Sequence, residues 1–143
     1  MYIAEPDVQC NNIAFTTYST EANEYTSGEH VLYNGILANE GQHYQPSSSY
    51  FICPDDELYV FSIDIMSDID ASVAGVIMIE NTFLMMAYAE RQSDQRTESS
   101  ALAIAQCARG KKVWVKLSGD SVAWSNGNRH VSFTGFRLNS CLP

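Results

Sequence analysis

The chain has 143 residues, 45% of them hydrophobic, and a formal net charge of −9 from 8 basic and 17 acidic side chains. That length suits one domain with a core of its own, and no apolar run approaches the ~18 residues of a membrane-spanning helix. An acidic chain is a poor partner for nucleic acid, whose affinity rests on neutralising phosphates with Lys and Arg.

The charge is also divided along the chain. Residues 1–90 hold fourteen acids and no Lys or Arg, and residues 91–143 hold all eight basic residues against Asp94, Glu98 and Asp120. The acids are spread among aromatic and aliphatic residues and do not form a tail. Two readings are open: cross-strand pairing between distant segments, worth a few tenths to about 1 kcal/mol per pair, and an acidic surface that attracts cations.

Met1–Glu5 carries neither a basic leader nor an apolar signal core. The first informative run is Tyr33 to Ile63, in which Tyr33, Asn39, Tyr44 and Phe51 are followed by Tyr59, Phe61 and Ile63 at strict alternation. Period-two alternation predicts strands over Leu58–Ile65, Val113–Leu117 and Val131–Phe136, each rich in β-branched and aromatic residues. Turn chemistry separates them at Asn34-Gly35, Glu40-Gly41, Ser47–Ser49, Cys53–Asp56, Arg109-Gly110, Ser118–Asp120 and Asn126–Asn128. Two segments, Phe83–Glu90 and Ser100–Gln106, consist of good helix formers, and by propensity alone they suit helix and strand equally. Many short strands at this spacing suggest a sandwich or barrel.

The Tyr33–Ile63 spacing resembles the signature of the C1q-domain family, the globular head of complement C1q. Gly110–Leu117 is similar to that family's Gly-Asp-x-Val-Trp-Leu-x-Leu strand, Ser132–Leu138 to its closing Phe-Ser-Gly-Phe strand, and Ala14-Phe15 to its opening strand. Three positions depart from the pattern: Tyr33 where Phe is usual, Ile63 where an aromatic is usual, and Glu57 where the family has Gly. A Gly there supplies backbone angles that Glu reaches only with strain. The resemblance implies an all-β fold, a ten-strand antiparallel β-sandwich of C1q/TNF jelly-roll topology, with residues 1–13 as an N-terminal segment and 14–143 as a single domain. It places strands at both ambiguous segments and sets the Lys111–Leu117 strand between strands of the acidic half.

Cys10, Cys53, Cys107 and Cys141 fit no zinc spacing and allow three complete pairings. The implied fold brings Cys10 beside Cys141, with Cys107 at the same end as a competing partner. It sets Cys53 at the opposite end as a buried free thiol. A disulfide between the chain ends favours an oxidising compartment, hence a secreted, extracellular protein.

Catalytic chemistry has no support in the sequence. His30, His43 and His130 stand far apart, and no nucleophile elbow, zinc-protease motif or phosphate-binding glycine loop occurs. The acids Asp55–Glu57, Asp64, Asp68 and Asp70 read as solvated loop carboxylates. Calcium is possible by resemblance, because relatives place ligand acids in the loop before the final strand. Here that loop, Ser118–His130, offers Asp120 alone, and Arg129 and His130 oppose a cation.

The same loop reads as a recognition surface. Trp124 offers a face for a sugar ring, and Asn126, Asn128, Arg129 and His130 offer donors for its hydroxyls or carboxylate. The competing reading is that Trp124 packs under the loop and Asn126-Gly127 only turns the chain. Tyr88 and Arg91 mark a second candidate surface, in an expected long loop from Tyr88 to Arg96. The resemblance implies a secreted, non-enzymatic homotrimer: a lectin or pattern-recognition molecule of innate immunity that binds microbial or cell-surface carbohydrates. Its alternatives are an acidic calcium- or mineral-binding extracellular matrix protein and a trimeric protein ligand of a receptor.

Overall fold

Alternation along the strands decides which side chains meet. In Val131–Arg137, for example, Val131, Phe133, Gly135 and Arg137 are buried while Ser132, Thr134 and Phe136 face the other way. The computed structural model describes residues 9–22, 29–118 and 122–142, and these contain strands and no helix. The strands are β1 (Gln9–Cys10), β2 (Ala14–Ser19), β3 (Glu29–His30), β4 (Gly35–Glu40), β5 (Tyr44–Gln45), β6 (Tyr50–Ile52) and β7 (Glu57–Met66). They continue as β8 (Val73–Ile79), β9 (Thr82–Ala89), β10 (Glu98–Cys107), β11 (Lys112–Ser118), β12 (Val131–Arg137) and β13 (Cys141–Leu142).

Two antiparallel sheets form the sandwich, in the jelly-roll arrangement expected. One has the order β10-β7-β12-β2-β4; the other runs β5-β6-β11-β8-β9, with β3 added against β11. A short β1–β13 ladder joins the chain ends. The expected ten strands are β2 and β4 to β12, and β3 brings the two sheets to eleven. Both segments of helix-forming composition are strands, β9 and β10. Tertiary pairing overrides their propensity, since β10 runs in register with β7 over ten residues and β9 pairs with β8 across one bulge. Their small inward residues Ala87, Ala89, Ala101 and Ala103 are buried. Tyr88 therefore belongs to a strand and not to the loop expected there.

The core between the sheets is aromatic. Phe15 stacks on Tyr44 at 5.0 Å and on Phe51 at 4.9 Å, and meets Phe133 edge-on at 4.9 Å. Tyr59 and Phe61 extend the cluster, each packing edge-on against Phe51. Gly135 makes this possible. A Cβ on it would lie 2.6 Å from Phe15 Cε1 and 2.8 Å from Phe61 Cδ1, so the two rings occupy the space of a missing side chain.

All four cysteines lie at one end of the sandwich. Cys10 pairs with Cys141, as expected. Cys53 pairs with Cys107, which corrects the reading of Cys53 as a free thiol at the opposite end. The reason is chain direction: β7 starts four residues after Cys53, and its first residue, Glu57, is the ladder partner of Cys107 at the end of β10. Glu57 itself is extended strand and is not among the residues of positive φ. The family's Gly is therefore dispensable there.

Among the described residues, two long-range ion pairs join the acidic and basic halves. Arg96 meets Asp68 at 3.4 Å, and the buried Arg137 meets Asp55 at 2.6 Å. β11 lies between β6 and β8 of the acidic half, as expected. Arg137 also donates to the carbonyls of Asn139 and Asn11, tying the two chain ends to β12. Asp55 in turn accepts the Tyr59 hydroxyl at 2.7 Å. Burial, then this bond to Asp55, raises the Tyr59 pKa.

Gly135→Ala should cost about 1–3 kcal/mol by overpacking. Gly127→Ala, with nothing within 4 Å of its Cβ position, should leave the denaturant midpoint unchanged. Asp55→Ala should cost about 2–3 kcal/mol, because it leaves the buried Arg137 charge without its counter-ion; urea unfolding of all three variants measures these effects.

Candidate functional site

The outer face of the β10-β7-β12-β2-β4 sheet changes character along its length. Ladder partners set its rows. At the disulfide end, Ile104, Val60, Phe136 and Ala14 form one row, with Leu58 and Leu138 beyond. A middle row is Leu102, Ser62, Thr134 and Thr16, and the third is Ser100, Asp64, Ser132 and Tyr18. The face thus passes from apolar to polar over a few residues.

The polar end forms an open cleft of about 200 Å³ lined by Asp64, Ile65, Glu98, Ser99, Ser100, Arg129 and His130. Asp64, exposed near the C-terminal end of β7, accepts hydrogen bonds from Ser100 Oγ at 2.5 Å and Ser132 Oγ at 2.9 Å. His130 Nδ1 lies 3.1 Å from Glu98 Oε1. The Arg129 guanidinium stacks on the Tyr18 ring at 4.1 Å, which occupies its face and leaves its in-plane N–H donors available.

Residues 124–130, ahead of β12, are tied to the rest of the fold. The Trp124 backbone N–H donates to the Met66 carbonyl, and its indole is covered by the Arg96 guanidinium at 3.8 Å, with the His130 ring 5.6 Å away. Ser125 is buried and donates to the Ser19 carbonyl. The Asn126 side chain accepts the Asn128 backbone N–H, and its carbonyl accepts that of Arg129, which adopts φ 61°. Trp124 is half-buried, with one face of its indole covered by Arg96. Asn128 and Arg129 are exposed at the tip.

Of the residues singled out in the sequence, the structure brings Arg129 and His130 to the cleft and sets Trp124 and Asn126 behind them. Tyr88 and Arg91 are exposed and do not line it. Sequence reasoning passed over Ser99, Ser100 and Glu98, and treated Asp64 as a solvated loop acid. The available signal was alternation: an Asp placed outward on a long strand between two others faces whatever its neighbours present. Asp120 lies outside the described residues. Among those residues no group of three or more His, Cys, Asp or Glu converges as a metal site requires, and no helix is long and apolar enough to cross a membrane. The two disulfides fit an extracellular protein.

Comparison with known proteins agrees with this architecture. The fold is similar to the globular domain of zebrafish complement 1qA, with a TM-score of 0.73 and 16% identity over 90% of this chain and 98% of that one. It is similar to murine APRIL, with a TM-score of 0.71 and 11% identity over 89% of this chain and 99% of that one. A third likeness is the Eiger TNF of S. frugiperda, with a TM-score of 0.72 and 9% identity over 93% and 96% of the two chains. In sequence, the chain is 29% identical over 112 residues to the collagen alpha-1(X) chain of Mus musculus, covering 76% of this chain and 16% of that protein. It is 46% identical over 35 residues to the complement C1q tumor necrosis factor-related protein 7 of Mus musculus, covering 24% of this chain and 12% of that protein. The chain thus matches only a small part of the length of these curated relatives. Residues 14–138 match the C1q domain, and the chain belongs to the C1q domain family.

Proposed function

We propose that this is a secreted, non-enzymatic recognition protein that assembles as a homotrimer and binds carbohydrate at microbial or cell surfaces. One observation carries the reading: the outer face of a single sheet is divided into an apolar half and a polar cleft. In the apolar half Leu102, Ile104, Leu138, Leu58 and Phe136 are 60%, 57%, 52%, 42% and 41% exposed. A contiguous patch of this kind marks an association surface. Its burial favours association by roughly 25 cal/mol per Å² before the costs of assembly, and closed rings are the usual outcome. A trimer is the assembly that membership of this family supports.

The cleft supplies the recognition chemistry. Hydroxyls of Ser99 and Ser100, carboxylates of Asp64 and Glu98, and donors of Arg129 and His130 converge on a small open volume. Alternating donors and acceptors suit a sugar's hydroxyls, and Arg129 suits a carboxylate. Asn126, Asn128 and Trp124 hold the loop that presents these donors, with Tyr88 and Arg91 outside the cleft. Three weak sites on one particle raise avidity by roughly 10² to 10⁴ where geometry allows.

Light scattering should give three times the subunit mass, and an Ile104→Lys/Phe136→Lys variant should run as a folded monomer. A glycan array probed with the native oligomer should return a defined sugar that is lost in Arg129→Ala and His130→Ala. Arg96→Ala should uncover Trp124 and raise its acrylamide quenching while leaving the sugar hit in place. A blank array sinks the carbohydrate reading. Melting temperatures raised by calcium would then favour the matrix role, and a saturable protein partner would favour the receptor-ligand role.

A further inference from the structure

The outer face of the second sheet is used by neither the cleft nor the apolar half. On β11 the residues Val113, Val115 and Leu117 are buried, so Lys112, Trp114 and Lys116 share the outer face. Trp114 and Lys116 pair with Met78 and Val76 on β8. Those two pair in turn with Phe83 and Met86 on β9. Rows therefore run Trp114, Met78, Phe83 and Lys116, Val76, Met86 across one surface. Phe83 and Met86 are 57% and 43% exposed, whereas Met78 and Val76 between them and β11 are buried.

This surface is held in place before any partner arrives. Trp114 Nε1 donates to the Glu80 carbonyl at 2.8 Å, and the Glu80 carboxylate accepts the Lys112 backbone N–H at 3.2 Å. The Lys112 ammonium lies 5.0 Å from the Tyr50 ring centre. His30 packs against Tyr50 at 4.5 Å and Trp114 at 5.1 Å. Burial lowers the His30 pKa below 6.5, against a smaller opposing effect of its hydrogen bond to the Ser49 carbonyl. Burial thus disfavours the charged form of His30, and the positive charge of the face comes from the two lysines, with the Glu80 carboxylate beside the Lys112 backbone.

Exposed aromatic and Met side chains beside positive charge have the chemistry of a protein interface. Lys112 and Lys116 stand about 13 Å apart at strand rise, the separation of residues i and i+4 in another extended chain. The i+2 residue of such a chain falls over Trp114. We propose that this face docks an extended acidic segment of a partner protein, whose carboxylates at i and i+4 meet Lys112 and Lys116 while an apolar residue at i+2 packs on Trp114, in the row that ends at the exposed Phe83. A long polyanion meets the repulsion of the whole chain, at −9; a segment with two acids meets chiefly the local field of the lysines. The proposal is independent of the carbohydrate reading, because it uses the other sheet.

The test is fluorescence anisotropy of a labelled peptide repeating Glu-Ser-Leu-Ser-Glu, titrated with the intact oligomer. Saturable binding is expected, weakened about tenfold or more by Lys112→Glu/Lys116→Glu and by Phe83→Ser. A Lys-Ser-Leu-Ser-Lys peptide should bind the charge-reversed protein and not the native one. Thermal melts establish that each variant is folded, and Phe83→Ser serves if the double variant is not. Absence of saturable binding, or binding untouched by the folded variants, overturns the proposal. So does equal, lysine-dependent binding of dextran sulfate or phosphatidylserine vesicles, which would assign the face to polyanions or anionic membranes.

Discussion

The space left by the missing side chain of Gly135 is the constraint on which the sandwich depends. β12 lies between β7 and β2 at the centre of its sheet, and on its inner side Phe15 and Phe61 close over the glycine. Phe15 can then stack simultaneously on Tyr44 and Phe51 and meet Phe133, which links both sheets through one ring. Interiors packed at crystal density tolerate such an arrangement only at one set of volumes. Register follows from the same constraint, because a one-residue slip of β12 would turn Phe133 and Gly135 outward and Thr134 inward.

The two ends of the sandwich are built differently. One end gathers both disulfides, the β1–β13 ladder and the Arg137–Asp55–Tyr59 network. It is cross-linked covalently and by a buried charge that needs all its partners. The other end is closed by side-chain stacking: Arg96 over Trp124, Arg129 over Tyr18, and His130 beside Glu98. Such contacts are individually worth about 1 kcal/mol or less at partly exposed sites. The stapled end can hold the termini while the stacked end presents polar groups at lower cost to rearrangement.

The basic second half of the chain acts on both ends and on the outer sheet. Arg137 clamps the termini, Arg96 and Arg129 cover aromatic rings, and Lys112 and Lys116 colour the outer face of β11. The charge division seen along the sequence is thus only partly a matter of ion pairs. Several of these cations are spent on ring faces and backbone carbonyls, partners that a count of opposite charges does not anticipate.

Much of the fold was legible in the residues because alternation and turn chemistry are local. Leu58–Ile65, Val113–Leu117 and Val131–Phe136 announce strands, and the motif spacing orders them into one family of sandwiches. The composition of Phe83–Glu90 and Ser100–Gln106 could not announce strands, since Ala, Leu and Met favour helix until long ladders to β8 and β7 outweigh that preference. Nor could spacing place Cys53 beside Cys107, which depends on the end from which β7 departs. Strand periodicity, the aromatic inner faces and the family can be read from residue order alone. That Trp124 lies beneath Arg96, and that Asp64, Ser100 and Ser132 share one row beside Arg129, emerges from the folded chain. The physical reason is that a side chain's face is a local property of its strand, whereas its partner is set by the register between strands far apart in the chain.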